Sequence, residues 1–173
     1  MDDEVTFDDA RREALDQFIS EEELPDQFRT VFLQWYAGIT AYLAELASRV
    51  ETAPLIGFSG CQGSGKSTLV NAMSNVLQNA HGISTAVLSL DDFYLTKGAR
   101  QAMAETVHPL FATRGVPGTH DLALLTRIIA ALRGSGLISI PHFDKATDDR
   151  TEMVHWRQES APVRLILLEG WCI

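Results

Sequence analysis

The stretch from Leu55 to Leu69, LIGFSGCQGSGKSTL, constrains this chain more than any other. Gly60, Gly65, Lys66 and Ser67 fit G-x-x-x-x-G-K-[ST], the phosphate-binding loop. An apolar run (Leu55, Ile56, Phe58) leads into it, and Leu69, Val70, Met73, Val76 and Leu77 follow at helical spacing. The pattern therefore predicts strand, loop and helix. Glycines at Gly60, Gly63 and Gly65 let successive N–H groups turn inward around a polyphosphate, and the helix adds its unpaired N–H groups and positive dipole end. Gly60, Cys61, Gln62, Gly63, Ser64, Gly65, Lys66, Ser67 and Thr68 are assigned to the phosphates of ATP. Lys66 reaches toward the β- and γ-phosphates, and the Ser67 hydroxyl is a ligand for Mg²⁺, which prefers oxygen donors.

For 173 residues, one domain with a helical appendage is the natural division: an N-terminal helical segment, 1–52, packing on a phosphate-loop domain, 53–173. A hydrophobic content of 46% supports a real core. The net charge of −9 argues against a nucleic-acid or anionic-membrane surface, though not against ATP, whose binding is local. The acidic N-terminus has no apolar core of the signal-peptide kind, and no apolar run has transmembrane length; these features predict a cytoplasmic protein without a membrane segment. Cys61 and Cys172 read as reduced thiols, and no second Cys or His pair has zinc spacing.

Along the chain, the spacing predicts an amphipathic helix over 8–19. Ser20-Glu21-Glu22-Glu23 matches a capping box, and a long helix runs from Pro25 to Arg49 or Val50 with a broad apolar stripe that includes Trp35 and Tyr42 and is expected to pack on the nucleotide domain. Ser84–Leu90 reads as a buried strand ending in Asp91 and Asp92, where an open α/β sheet binds its ligands. A loop-rich region from Tyr94 to Thr119 holds a short helix around 99–106. Thr119 is placed to cap the next helix, which ends at Gly134. Leu137–Ile140 and Val163–Leu168 read as further strands, the latter ending in Glu169. A chain that finishes on a strand-end carboxylate is expected to be part of a longer protein.

Phosphoryl transfer needs a metal, cations and a group that deprotonates the nucleophile. Glu169, after LILL, resembles the acid that closes a Walker B strand and holds the metal. Asp91 is the candidate general base, with Asp92 pointing elsewhere. Arg114, Lys145 and Arg150 lie in loops beyond strand ends and suit an acidic substrate, with His108 and His120 as further donors.

The motifs GCQGSGKST, SLDDFYLT, VHPLFATRGVPGTHD, IPHFDKATDDR and LLEGW, in this order, resemble the D-glycerate 3-kinases and their relatives among the uridine, pantothenate and phosphoribulokinases. The resemblance implies an α/β fold with a P-loop NTPase-type parallel sheet flanked by helices, and ATP-dependent phosphorylation of the 3-hydroxyl of D-glycerate, a small-molecule partner. It matches Asp91 to the base and Glu169 to the magnesium-linked acid. Arg114, His120, Asp121, Asp144 and Arg150 fall in motifs that shape the acceptor site, and Asp92, Tyr94, His108 and Lys145 complete that set. Cys61 and His142 depart from the family pattern. A kinase for another hydroxylated molecule, pantothenate- or uridine-like, and a non-catalytic nucleotide-binding module are the alternatives; the chain has neither an N-K-x-D nor an LSGGQ motif.

Overall fold

The computed structural model describes residues 8–173. Its contacts divide into two compact units, one formed by the chain up to Val87 with Val163–Ile173, the other by Leu88–Pro162. Among the described residues no helix is long and apolar enough to cross a membrane.

In the first unit, α1 (Asp9–Glu21) starts at Asp8, whose carboxylate accepts from the Arg11 N–H. Ser20 and Glu21 continue this helix, so the capping-box match is not used: hydrogen bonding from the Glu22 N–H to the Phe18 carbonyl closes the helix there. The predicted long helix is two, α2 (Gln27–Trp35) and α3 (Ala37–Arg49). The break falls at Tyr36, whose carbonyl accepts both the Thr40 N–H at 2.9 Å and the Thr40 hydroxyl at 2.8 Å. Tyr36 itself departs from regular helical geometry, at φ −118° and ψ −17°, and Thr40 is fully buried in the turn that restarts the helix. The apolar stripe is also wider than one face can bury. Phe32, Leu43, Ala44 and Ala47 go inside, whereas Trp35 and Tyr42 stay about two-thirds exposed, at 64% and 62%.

β1 (Leu55–Ser59) feeds the phosphate loop, and α4 (Lys66–His81) follows it. Gly82, at φ 64°, ends α4 in the left-handed conformation that glycine adopts without steric cost. Val70, Met73, Val76 and Leu77 of α4 are completely buried, in one cluster with Leu15 and Phe18 of α1, Phe32 of α2 and Leu43 of α3. Burying a side chain such as Phe32 contributes about 1.5–3 kcal/mol. The sheet has the order β1-β7-β2, with β2 (Thr85–Ser89) on one side of β7 (Leu165–Gly170) and β1 on the other. β1 and β7 run parallel, Leu55 opposite Ile166 and Ser59 opposite Gly170. Every residue of β7 is buried, as the uninterrupted apolar run LILL requires of a central strand. Glu169 is inside this strand, not beyond its end.

In the second unit, a 3₁₀ turn (Leu90–Phe93) comes directly after β2, followed by α5 (Lys97–Thr106), a 3₁₀ turn (Pro109–Ala112) and α6 (Leu122–Leu132). The cap of α6 is Asp121, which accepts from the Leu124 N–H at 2.9 Å; Thr119 is instead buried with its hydroxyl on the Val116 carbonyl at 2.6 Å. β3 (Gly136–Ile140) pairs antiparallel with β6 (Arg157–Ala161), and two two-residue strands, β4 (Phe143–Asp144) and β5 (Asp149–Arg150), pair with each other. β6 reads RQESA and has no apolar alternation, so nothing in its composition announces a strand.

Candidate active site

The phosphate-loop half of the chemistry belongs to the first unit. Gly63 and Gly65 take φ of 75° and 81°, the left-handed region that only glycine enters freely, and Gly65 is the residue from which α4 starts. Gly60 is constrained differently: a Cβ there would meet Lys66 Cδ and Ser64 Oγ, both at 3.2 Å. Its N–H donates to the Gly170 carbonyl at 3.2 Å, which ties the loop's first residue to the end of β7. Lys66 lies across the loop, Nζ donating to the Cys61 carbonyl at 3.0 Å.

Ser67 Oγ donates to Glu169 Oε1 at 3.0 Å, across 102 residues of sequence. Glu169 is buried, at 5% exposure. A hydroxyl and a buried carboxylate placed together at a helix N-terminus are hard oxygen donors of the kind Mg²⁺ takes, so these residues fit that ion. Among the described residues no group of three or more His, Cys, Asp or Glu side chains is arranged to hold a metal.

The second unit gathers most of the predicted acceptor residues. The segments around Tyr94 and His120 lie antiparallel: the Asp121 N–H donates to the Phe93 carbonyl at 2.7 Å and the Leu95 N–H to the Thr119 carbonyl at 2.8 Å. The rings of Tyr94 and His120 stack at 4.2 Å, and Phe143 meets Tyr94 edge-on at 5.3 Å. Asp91 and Asp92 occupy consecutive positions of the 3₁₀ turn and have different partners. Asp91 Oδ2 accepts from Lys145 Nζ at 2.8 Å; Asp92 Oδ1 meets His142 Nδ1 and accepts from the Phe143 N–H, both at 3.0 Å. The bond to Asp91 raises the Lys145 pKa against the opposing effects of burial and the Arg114 charge. Arg150 is turned inward, Nη2 donating to the Tyr94 carbonyl at 2.7 Å and to Asp121 Oδ2 at 3.2 Å.

Two predicted residues serve local structure. His108 Nδ1 accepts from the Leu110 N–H at 3.2 Å and caps a 3₁₀ turn. Asp144 accepts from the Ala146 N–H at 2.8 Å and the Thr147 hydroxyl at 2.9 Å, bonds that hold its carboxyl below the usual range.

The sequence pattern does not reveal the centre of this arrangement. Arg100 of α5 is completely buried; its guanidinium donates to the carbonyls of Leu95, Ala112 and Asp148 and to Asp148 Oδ2 at 2.9 Å. The other Asp148 oxygen accepts from Arg114. The Arg100 and Arg114 guanidiniums both lie 5.7 Å from the centre of the Phe143 ring. In a helix reading KGARQAMAET no periodicity separates Arg100 from a solvent-facing arginine. Asp149 holds the start of the same helix, accepting from the Lys97 N–H at 2.8 Å.

These environments imply a two-step acid sensitivity. Burial lowers the His120 pKa, opposed by Asp91, and burial together with Arg11 lowers that of His81, opposed by Asp8. Both rings therefore favour the neutral form when folded, and stability falls as pH drops below about 6.5, the unfolded value. Burial pushes Asp148 up, but the hydrogen bonds and charges of Arg100 and Arg114 outweigh it and hold the carboxyl low. Its contribution is intact above about pH 4 and is lost as pH falls further, through the folded value. Thermal melts from pH 8 to pH 3 should show both declines, and His120→Phe should shrink only the upper one.

Similarity to known proteins agrees with this geometry. A protein of Schizosaccharomyces pombe named as the uncharacterized kinase mug58 is 36% identical over 128 residues, 69% of this chain and 46% of its own length. The chloroplastic D-glycerate 3-kinase of Arabidopsis thaliana is 36% identical over 130 residues, 69% of this chain and 28% of its own. The chain thus spans less than half the length of these two relatives. A solved structure of D-glycerate 3-kinase from Cryptococcus neoformans superposes with a TM-score of 0.64 at 26% identity, covering 80% of this chain and 51% of that one. The model of the phosphoribulokinase/uridine kinase family matches residues 55–172, and the chain belongs to that family.

Proposed function

We propose that this chain carries the nucleotide and acceptor chemistry of a small-molecule kinase that moves the γ-phosphate of ATP to the 3-hydroxyl of D-glycerate, giving 3-phosphoglycerate and ADP. The observation that carries the kinase reading is the Ser67–Glu169 bond, which joins the loop hydroxyl to a buried strand carboxylate. Ser67 and Glu169 would hold Mg²⁺, which would supply charge neutralisation at the polyphosphate. Lys66 places a cation on the same oxygens once it leaves the Cys61 carbonyl. Asp91 takes the proton of the acceptor hydroxyl as its oxygen bonds to Pγ and the Pγ–O bond to ADP breaks. Lys145, now on Asp91, is a donor that the acceptor can recruit. The choice of D-glycerate is supported by the relatives named for that activity and by the presence of Arg114, Lys145 and Arg150 among the gathered acceptor residues. On this reading residues 53–173 form the kinase portion and segment 1–52 its helical support.

The test is magnesium-dependent ADP release with D-glycerate, pantothenate and uridine in parallel, by this chain and by a version extended to the full length of its relatives. Release with D-glycerate alone is the expected result. Release with a nucleoside but not with glycerate overturns the acceptor assignment; failure of either protein to bind ATP overturns the kinase reading.

A further inference from the structure

Around the gathered acceptor residues the cations are not evenly matched with carboxylates. Lys145 is paired with Asp91 and Arg150 with Asp121, but Arg100 and Arg114 share Asp148. This three-residue cluster carries one excess positive charge. Arg100 is fully buried, and its donors go to three carbonyls and to Asp148. Arg114 is about one-third exposed at its side chain, at 34%, so it is the member of the pair that a ligand can reach. A guanidinium has five N–H donors in a planar fork, matched in shape to a carboxylate. One of them donates to Asp148, and Phe143 supplies an aromatic neighbour to the guanidinium.

Asp148 is itself held unusually. At φ 56° it is in the left-handed region, which an aspartate enters at some cost. Arg100 grips it at both the backbone carbonyl, at 2.6 Å, and the side chain. With backbone and one oxygen thus fixed, the remaining oxygen has a fixed direction, and Arg114 is docked on it.

We propose that Asp148, clamped by buried Arg100, is a positioning residue that presents the Arg114 guanidinium to the carboxylate of the acceptor. The device makes acceptor binding depend on that negative charge, so that hydroxy acids are taken in preference to neutral polyols and amides. This rests on the kinase reading above. The excess charge of the cluster is completed by the ligand, which is why two arginines are given only one aspartate.

The sign of a single substitution separates positioning from simple electrostatics. Removing the Asp148 charge strengthens the local positive field, which alone would tighten acid binding; loss of positioning weakens it. Asp148→Asn and Asp148→Gly both tolerate a positive φ, and glycine also retains the carbonyl on which Arg100 is anchored. Calorimetric titration with D-glycerate and with D-glyceramide, in the presence of Mg²⁺ and a non-hydrolysable ATP analogue, gives the ratio of acid to amide affinity. The parent is expected to favour the acid at least tenfold, and both variants to lose most of that ratio through weaker acid binding, with affinity for the ATP analogue unchanged. Unchanged or tighter acid binding in the variants overturns the proposal. So does an equal loss for acid and amide, the mark of a structural role, or a fall in analogue affinity, which would make the anion a phosphate. A parent that binds glycerate no better than its amide removes the glycerate reading and this proposal together; a parent that discriminates while the variants still do so removes this proposal alone.

Discussion

Asp91→Asn should leave nucleotide affinity within about twofold of the parent and lower turnover with the acceptor by about 10²–10⁴, the usual contribution of a positioned general base. Asparagine preserves the size of the side chain and can still accept a hydrogen bond from Lys145, so the 3₁₀ turn Leu90–Phe93 has no reason to rearrange. What is lost is the negative charge that takes the acceptor proton. The loss should appear in kcat and kcat/KM alike, because the interaction develops only in the transition state. Equilibrium nucleotide binding and single-turnover phosphate transfer, measured on the same preparations, give the two numbers. A variant that keeps parental turnover removes Asp91 from the proton path.

Lys66→Ala should do the opposite kind of damage, weakening both nucleotide binding and turnover. The ammonium group is the loop's own side-chain cation, and deletion of a charge-stabilising donor at a transferring phosphoryl group costs about 10²–10³ in rate. Its Nζ donates to the Cys61 carbonyl in an exposed contact within the loop itself, so the fold should tolerate the change with little effect on melting temperature. ATP-analogue titration and rate measurements on the variant check both halves. If the analogue bound with parental affinity and phosphate transfer continued at the parental rate, the phosphate-loop assignment would fail.

The two substitutions probe parts of the site that differ in how readable they were. The loop from Gly60 to Thr68 is specified locally: glycines where φ must be positive, then Lys-Ser at the start of an amphipathic helix. Its meaning survives in a one-dimensional pattern. Glu169 was legible for a related reason, since a carboxylate after an apolar run marks where a buried strand meets its ligand edge. The second unit is built differently. Arg100, Asp148 and Arg150 acquire their roles from partners 48, 34 and 56 residues away, through side-chain geometry that leaves no periodic trace. Asp121 and Thr119 exchanged their expected duties because both residue types can cap a helix and only packing decides between them. The break at Tyr36 rests on one residue departing from regular helical geometry inside a continuous apolar stripe, and β6 on a polar segment finding β3.

The position of β7 in the sheet has a consequence for how the protein is made. The strand that separates β1 from β2 is the last of the seven among the described residues, and the hydroxyl of Ser67 waits for a carboxylate 102 residues later. At about 5–20 residues per second, a ribosome takes on the order of 5–20 s to cross that interval. Throughout it, β1 and β2 have no strand between them, and the Gly60 N–H lacks the Gly170 carbonyl that anchors it. Helices α1 to α4 are all synthesised before β7, but the cluster they form includes Leu165 and Leu167, and the nucleotide-binding edge closes late, as a long-range pairing does in folding generally. On the kinase reading proposed above, competence to hold ATP is therefore acquired near the end of this segment's synthesis, and a nascent chain stalled before Leu165 would display two unjoined strand edges to chaperones and to its neighbours.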